Sequence, residues 1–343
     1  MKIRRLEDRR TALVLTLASL FSVLALLIFA SPTAFAQRSS LRPKHFGLDS
    51  ELQTLVETPS VSGYEGTLSK QISDEIAPHH IDVNNSSSQP IRQSPTAYHP
   101  VIDNLGDVIV TIGSGSPHRL LVAPVDEPGF VVSDITPDGY LRVQRLPQSG
   151  LPPIFSALYI AQPVQIQTAS GKWINGVVTG TSIHLHTSDD PESYLSNLNN
   201  MYVDIGATSA ADARAAGVDV LSPVVIDRQM IDMNDSGLAG ASVGDKFGAA
   251  VLVTLLREIN PAKVNGTLTV AFVAQQRTGA RGLQRVLRTE HFDEMIYVGR
   301  LTPGGAIPGM KEVHRAPRQA PGSGVLVGLS QTNGTLSGFP AEL

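Results

Sequence analysis

Several candidate site residues stand directly after apolar runs that are typical of buried strands. Asp126 and Glu127 follow one such run, Gln276 and Arg277 follow a second, and Gly299 follows a third. Carboxylates in such positions are candidates for metal ligation or for general acid–base catalysis. Ligands of α/β sheets bind beyond the carboxyl ends of the strands, so these residues are predicted to surround one pocket.

Two histidines form a second candidate metal site. His184 and His186 are followed by Asp189 and Asp190, which gives the segment the composition of a metal site. Alternate residues of a strand face the same side, and this arrangement suits chelation. Short motifs of this kind often arise without a function, so a structural or solvated pair is the favoured interpretation.

A serine motif offers a different chemistry. Residues 240–244 read G-x-S-x-G around Ser242, and Asp293 and His314 follow in the order used by α/β-hydrolases. However, no convincing strand precedes the motif, and a chain rich in glycine and serine produces it by chance. A serine esterase is therefore the minor alternative.

The N-terminus has the pattern of a secretory signal. Basic residues precede an apolar run at residues 11–30, and Ala34-Phe35-Ala36 forms an A-x-A cleavage signal. We predict a signal peptide over residues 1–36, a flexible lead-in over 37–48, and a periplasmic or extracellular location. The apolar run is also long enough to span a bilayer, so an uncleaved membrane anchor is the alternative.

Charge and composition exclude some partners. The 343 residues carry a net charge of −4, and residues 1–36 contain five basic and two acidic residues, so the remainder carries −7. No basic stretch follows residue 40, which argues against a nucleic-acid partner. The chain has no cysteine, so an exported form must be held together by its core rather than by disulfides.

Two kinds of pattern divide the chain. Residues 49–127 and 237–343 alternate between strand and helix patterns, which predicts an α/β peptidase-like domain with a mainly parallel sheet flanked by helices. Residues 128–236 contain short strands separated by frequent turns. We interpret that stretch as a small β-barrel domain inserted into the α/β domain.

Six motifs then carry a resemblance over most of the chain. In order they are Pro59–Gly66, Asp103–Gly106, Ala123–Phe130, Tyr202–Ala207, Val243–Gly248 and Gln275–Gly282. Their order resembles that of the glutamyl aminopeptidase family of dinuclear metallopeptidases. That family includes deblocking and tetrahedral aminopeptidases and members once labelled endoglucanases. The resemblance implies a phosphorylase/hydrolase-like metallopeptidase core, a β domain inserted in it, and assembly into homo-oligomers.

The resemblance also implies a site that binds two zinc or cobalt ions, which activate a water molecule. Pro124 occupies the family position of a ligand histidine, and Gly244 occupies that of the bridging aspartate. Arg277 occupies the position of a ligand glutamate, and Gly299 occupies that of the last aspartate. Gln276 stands in place of the general-base glutamate. The family's final histidine ligand falls beyond residue 343, so a truncated C-terminus is expected. Asp126 matches the aspartate that orients a ligand histidine and is vestigial.

These replacements predict a site without metal. Two ligand carboxylates have become glycine and one has become a permanent cation, while Asp126, Glu127 and Asp245 are retained. We expect Arg277 to pair with Asp126 or Asp245. The leading hypothesis is an inactive aminopeptidase homologue that binds peptides or a protein partner as a scaffold. The alternative is an active aminopeptidase whose metal site is rebuilt from the retained acids and a displaced histidine.

Overall fold

The computed structural model describes residues 46–77, 98–146, 158–180, 201–233 and 237–299, and the short strands at 327–328 and 340–341. The predicted signal segment, His184, His186 and His314 lie outside the described residues. Within the described residues, no helix combines the length and the apolarity needed to cross a membrane. The elements below belong to one compact unit, which comprises His45–Asp232 and Leu238–Leu343.

Five strands build the central sheet. In chain order they are β1 (Val101–Ile102), β2 (Val108–Gly113), β3 (His118–Pro124), β12 (Thr267–Val273) and β13 (Glu294–Tyr297). Across the sheet their order is β1-β2-β12-β3-β13. Continuous apolar runs build β3 and β12, as expected for strands covered on both faces. Their carboxyl ends lie side by side, because Val125 N, just after β3, donates to Val273 O at 3.0 Å.

Four of the five described α-helices cover the two faces of this sheet, and the other, α3 (Ala210–Ala215), packs in the core of the barrel. The four are α1 (Phe46–Glu57), α2 (Gly66–Ile76), α4 (Val243–Glu258) and α5 (Arg281–Thr289). On one face, α1, α2 and α4 bury Leu55, Ile72 and Leu252 in one core with Phe272 of β12. On the other face, Val286 of α5 packs in a second core with alternate residues of β3 and β12.

The sheet is mixed, and the prediction of a mainly parallel sheet is wrong. β3 runs parallel to β12 and to β13, whereas β2 is antiparallel to β1 and to β12. The cause is the connection between β2 and β3, which consists only of residues 114–117. A crossover between parallel strands needs a dozen or more residues. A link of four residues is too short for that, so the chain must reverse its direction. Since β2 and β3 flank β12, only one of them can run parallel to it.

The strands between residues 130 and 226 close into a six-stranded barrel, which confirms the predicted small β-barrel. They are β4 (Phe130–Ile135), β5 (Leu141–Arg145), β6 (Pro163–Gln167), β7 (Trp173–Gly180), β8 (Met201–Asp204) and β9 (Pro223–Ile226). Their order around the barrel is β4-β5-β8-β7-β6-β9. The interior is apolar and includes Val132, Leu141, Ile166 and Val203. The division of the chain into domains stays a prediction.

Two small hairpins complete the described elements. One pairs β10 (Ile231–Asp232) with β11 (Leu238–Ala239) between the barrel and α4. The other pairs β14 (Val327–Gly328) with β15 (Pro340–Ala341). The first hairpin leads the chain from the barrel back to the N-terminus of α4, which is where the site residues of that helix begin.

Candidate functional site

Asp126 lies at the carboxyl end of β3 and is almost completely buried, with 1% of the residue exposed. Ser62 Oγ donates to its Oδ2 atom, and Arg277 N donates to the same oxygen at 2.9 Å. Its other oxygen, Oδ1, is buried without a hydrogen-bond donor among the described residues. Burial raises the pKa of Asp126, although the bonds from Ser62 and Arg277 act in the opposite direction. Asp126 therefore joins the loop before α2 to the turn after β12.

Arg277 and Asp245 form an ion pair at the centre of the site. Arg277 Nη2 lies 2.5 Å from Asp245 Oδ1, and the two side chains are 23% and 14% exposed. Arg277 belongs to the turn after β12, and Asp245 belongs to the first turn of α4. The pair is one of the two pairings expected for Arg277, while Asp126 receives only the backbone N–H of that residue. The guanidinium thus compensates Asp245 and bridges two segments of the site.

The other predicted positions lie around this pair but contribute no charge. Pro124 is the buried last residue of β3 and is in register with Val273. Gly244 precedes Asp245 in the first turn of α4. Gln276 lies in the turn after β12, and its Oε1 atom is buried without a donor among the described residues. Gly299 follows β13.

A contact between backbones brings the end of β13 to α4. A Cβ atom placed on Gly248 of α4 would lie 2.1 Å from Val298 O and 3.2 Å from Gly299 Cα. Only glycine therefore allows the helix to approach the strand end this closely. The close approach places Gly299 beside the helix that carries Gly244 and Asp245.

A buried charge network lies next to the ion pair. Glu127 and Lys246 are fully buried, and the side chain of Arg228 is only 2% exposed. Arg228 Nη1 donates to Glu127 Oε2, Lys246 Nζ lies 3.9 Å from Glu127 Oε1, and Ser60 N donates to that oxygen at 2.5 Å. Lys246 Nζ also donates to Ser60 Oγ and, at 3.1 Å, to Val125 O. One carboxylate therefore faces two cations inside the protein.

The charges of this network set its protonation. Burial alone would raise the pKa of Glu127, but Lys246 and Arg228 outweigh burial and hold the pKa below its ordinary value. Burial lowers the pKa of Lys246 to about 8, although Glu127 acts in the opposite direction. Arg228 was missed in the sequence because it lies 101 residues from Glu127 and outside every motif. The available signal was an arginine two residues after the buried strand β9.

Glu65 ties the loop before α2 to the same turn. Its carboxylate accepts from Gly63 N, at 2.9 Å to both oxygens, and from Gln275 N at 2.8 Å. Burial raises the pKa of Glu65 to about 7, despite these backbone hydrogen bonds. The turn after β12 is thus held at two backbone N–H groups, that of Gln275 by Glu65 and that of Arg277 by Asp126.

The backbone around the site is strained at three non-glycine residues. Ser242, Gln275 and Ala280 have φ values of 59°, 54° and 51°. A left-handed conformation costs a residue with a side chain about 1–2 kcal/mol. Residues in such conformations concentrate at functional sites, where the surrounding contacts hold them in place.

The structure does not assemble the serine-hydrolase triad. Ser242 is the N-cap residue of α4, and Lys246 in the first turn of that helix donates from Nζ to Val125 O, just after the carboxyl end of β3. Asp293 instead accepts from His118 N at 2.7 Å, at the first residue of β3. Ser242 and Asp293 therefore lie at opposite ends of the same strand, which excludes Asp293 as the acid of a triad with Ser242.

Comparison with known proteins decides the family. Residues 106–337 match the sequence model described as M42 glutamyl aminopeptidase. The chain belongs to the M42 glutamyl aminopeptidase family. The glutamyl aminopeptidase of Lactococcus lactis subsp. cremoris is 24% identical over 259 residues, which cover 74% of this chain and 66% of that protein. The chain spans less than two thirds of the length of this curated relative and of two Escherichia coli relatives.

Solved structures agree on the fold. The TET aminopeptidase of the marine sediment archaeon Thaumarchaeota archaeon SCGC AB-539-E09 superposes with a TM-score of 0.62, at 24% identity, over 77% of this chain and 68% of that one. The Pyrococcus horikoshii TET1 peptidase gives the same TM-score at 21% identity, over 78% and 72% of the two chains. That peptidase assembles into a tetrahedron or a large octahedral shell. Because the sequence identities to these solved structures are below 25%, the likeness shows a shared fold and nothing further.

The residues that the motifs predict at the family's ligand positions offer no donor side chain, since they are Pro124, Gly244, Gly299 and the cation Arg277. Zinc and cobalt need imidazole or carboxylate donors, and several carboxylates must offset about four positive charges. Of the candidate donors, Asp126 is bonded to Ser62 and Arg277, and Asp245 is compensated by Arg277. In the part of the chain that the structure describes, no three His, Cys, Asp or Glu residues form a group that could hold a metal ion.

Proposed function

We propose that this protein is an exported M42-family member that does not cleave peptides and acts instead as a binding or scaffold protein. The observation that carries the proposal is the 2.5 Å ion pair between Arg277 and Asp245. Arg277 stands where the motifs predict the family's glutamate ligand, and the pair neutralises the retained carboxylate of Asp245. A metal ion in that place would have to displace a permanent cation and to bind residues that lack donor atoms.

The second support for inactivity is the amide at the general-base position. Metallopeptidases of this family depend on a carboxylate that takes a proton from the metal-bound water. Gln276 cannot take up that proton, because an amide oxygen is not basic at neutral pH. Even a chain that bound one metal ion would therefore lack the group that activates the water.

The alternative of a rebuilt metal site is less well supported. It would use Asp126, Glu127, Asp245 and a displaced histidine. Glu127 is fully buried and is held by Lys246 and Arg228, and its use as a ligand would leave two cations uncompensated. No described histidine joins these acids in a group of three that could hold a metal ion, so the histidine would have to come from another segment.

Export and self-assembly are further parts of the proposal. The basic residues, the apolar run at 11–30 and the A-x-A pattern support export, with cleavage after Ala36. The shell-forming P. horikoshii relative supports a homo-oligomer. The ligand is proposed to be a peptide or a protein partner, because the relatives of this chain are named aminopeptidases, which act on peptides.

An aminopeptidase assay tests the proposed function. Purified protein is incubated with peptides and p-nitroanilides that carry N-terminal Glu, Lys or Leu, with and without zinc or cobalt. We expect no hydrolysis above that of the buffer in either condition, because the metal ligands and the general base are absent. A serine-directed fluorophosphonate applied to the wild type and to Ser242→Ala tests the esterase alternative in the same samples.

Two outcomes would contradict the proposal. Metal-dependent release of N-terminal residues would establish a rebuilt metal site. Fluorophosphonate labelling of the wild type that disappears in Ser242→Ala would establish a serine nucleophile. The Asp245→Asn variant is the matched control for the first outcome. A rebuilt metal site must use Asp245 as a ligand, so the turnover of the variant would be lower than that of the wild type.

A further inference from the structure

Two glutamates and one arginine meet where three helices pack, away from the candidate site. Arg257 lies in the last turn of α4, Glu51 lies on α1, and Glu75 lies on α2. Arg257 Nη1 is 2.6 Å from Glu51 Oε2, and its Nη2 is 3.0 Å from Glu75 Oε2. One guanidinium therefore bridges two carboxyl groups and links α1, α2 and α4.

If both glutamates are ionised, the cluster lacks one hydrogen-bond donor for their carboxylate oxygens. The Glu51 side chain is 3% exposed, and the described residues offer no hydrogen-bond donor to its Oε1 atom. Glu75 is better supplied, because Gln71 Nε2 donates to its Oε1 atom at 3.1 Å. The charged groups that face Glu51 are Glu75 from α2 and Arg257 from α4. Two carboxylates beside one arginine would leave a net negative charge in a largely buried place.

We propose that Glu51 and Glu75 share one proton and that this proton is a switch that locks α2 against α1 and α4. The proton lies between the two carboxyl groups and turns one of them into a hydrogen-bond donor. It supplies the donor that Glu51 Oε1 lacks, and it leaves one negative charge for Arg257 to neutralise. This proposal does not depend on whether the protein cleaves peptides.

The protonation equilibrium supports the switch. Burial, followed by the hydrogen bond and the charge of Glu75, raises the pKa of Glu51 from 4.5 to about 7, and Arg257 only partly opposes this. Because the folded-state pKa is raised, the folded protein binds the proton more tightly than the unfolded chain. The stabilisation is fully present below about pH 4.5 and is lost as the pH rises to about 7.

The switch acts on a helix that leads to the candidate site. α2 begins at Gly66, directly after Glu65, whose carboxylate holds Gln275 N in the turn beside Arg277. Loss of the shared proton leaves two negative charges that repel each other across α1 and α2. This repulsion weakens the packing of α2, the helix that begins directly after Glu65. The packing of α2 against α1 and α4 is therefore expected to depend on pH between about 4.5 and 7.

The test compares Glu51→Gln, Glu75→Gln and the control Glu57→Gln in urea unfolding between pH 4.5 and pH 8. An amide at residue 51 supplies the donor permanently, so its stability should not depend on the shared proton. The ratio of the unfolding constants of wild type and Glu51→Gln should rise about tenfold per pH unit between pH 4.5 and pH 7, and then stay constant. Glu57 is exposed on the same helix, and its replacement should leave the pH profile of the wild type unchanged.

Glu75→Gln keeps the test decisive if Glu51→Gln folds poorly, because an amide on either partner removes the shared proton. In wild type, carboxyl ¹³C NMR should show Glu51 titrating near pH 7. That titration should be absent from Glu51→Gln and should move to lower pH in Glu75→Gln. The proposal is overturned if Glu75→Gln keeps the pH profile of the wild type, because Glu51 would then bind its proton without Glu75. It is also overturned if Glu51 titrates at its ordinary pKa.

Discussion

Replacing Glu127 with glutamine should lower the free energy of unfolding by about 3–5 kcal/mol at pH 7. Glu127 is the only carboxylate in contact with the two buried cations Arg228 and Lys246 among the described residues. Glutamine keeps the size of the side chain and removes only the charge, so both cations would be left uncompensated in the interior. Lys246, whose pKa is about 8 in the folded protein, would then lose its proton more easily.

Urea unfolding at pH 7 measures this effect, and Asp74→Asn is the matched control. Asp74 pairs with Lys70 at 2.6 Å, but the two side chains are 70% and 62% exposed. Exposed pairs contribute about 0–1 kcal/mol, so the control should remain close to wild type. If Glu127→Gln cost no more than Asp74→Asn, the buried network would not stabilise the fold in the way inferred from its geometry.

Replacing Gly248 with alanine should destabilise the protein by about 1–3 kcal/mol or more, because the helix and the strand end cannot both keep their places. The new Cβ would lie 2.1 Å from Val298 O and 2.8 Å from Val298 C. Both are backbone atoms, so no side-chain rotation can relieve the overlap. The simplest relaxation moves α4 away from β13 and carries Asp245 away from Arg277.

Gly66→Ala is the control for this substitution. Gly66 is the first residue of α2, and a Cβ at that position would meet no atom within 4 Å. Alanine is favoured over glycine in helices by about 1 kcal/mol, so this variant should match or exceed the stability of the wild type. Equal midpoints in urea for Gly248→Ala and Gly66→Ala would show that the helix does not need this close approach.

The fold could be predicted from the sequence where the pattern is local. The apolar runs of β3 and β12 predicted buried strands, and the short strands and turns after residue 128 predicted the barrel, which is present. The reversal between β2 and β3 could be read from the four residues that join them, but the insertion of β12 between these two strands was not local information. The antiparallel pairing of β2 with β12 depends on β3 crossing to the far side of β12, and no periodicity in the residues of β2 records that arrangement.

The site was predictable to the extent that its residues belong to motifs. The order of the motifs predicted the family, which the comparison confirms, and the arginine at position 277 predicted a pairing with a neighbouring acid. Arg228 and the pair Glu51–Glu75 could not be found in this way. Their roles depend on contacts between residues that are far apart in the sequence. A single glutamate or arginine usually faces the solvent, so the sequence gives no sign that these side chains are buried.

The metal content of the purified protein tests the central proposal most directly. The wild type is equilibrated with zinc or cobalt, dialysed, and measured by inductively coupled plasma mass spectrometry. The positive control restores the family donors, and its substitutions are Pro124→His, Gly244→Asp, Gln276→Glu, Arg277→Glu and Gly299→Asp. We expect the wild type to retain well under one metal ion per chain, because Arg277 and Asp245 are already paired and the other positions lack donors. Two tightly bound ions per wild-type chain would contradict the proposal.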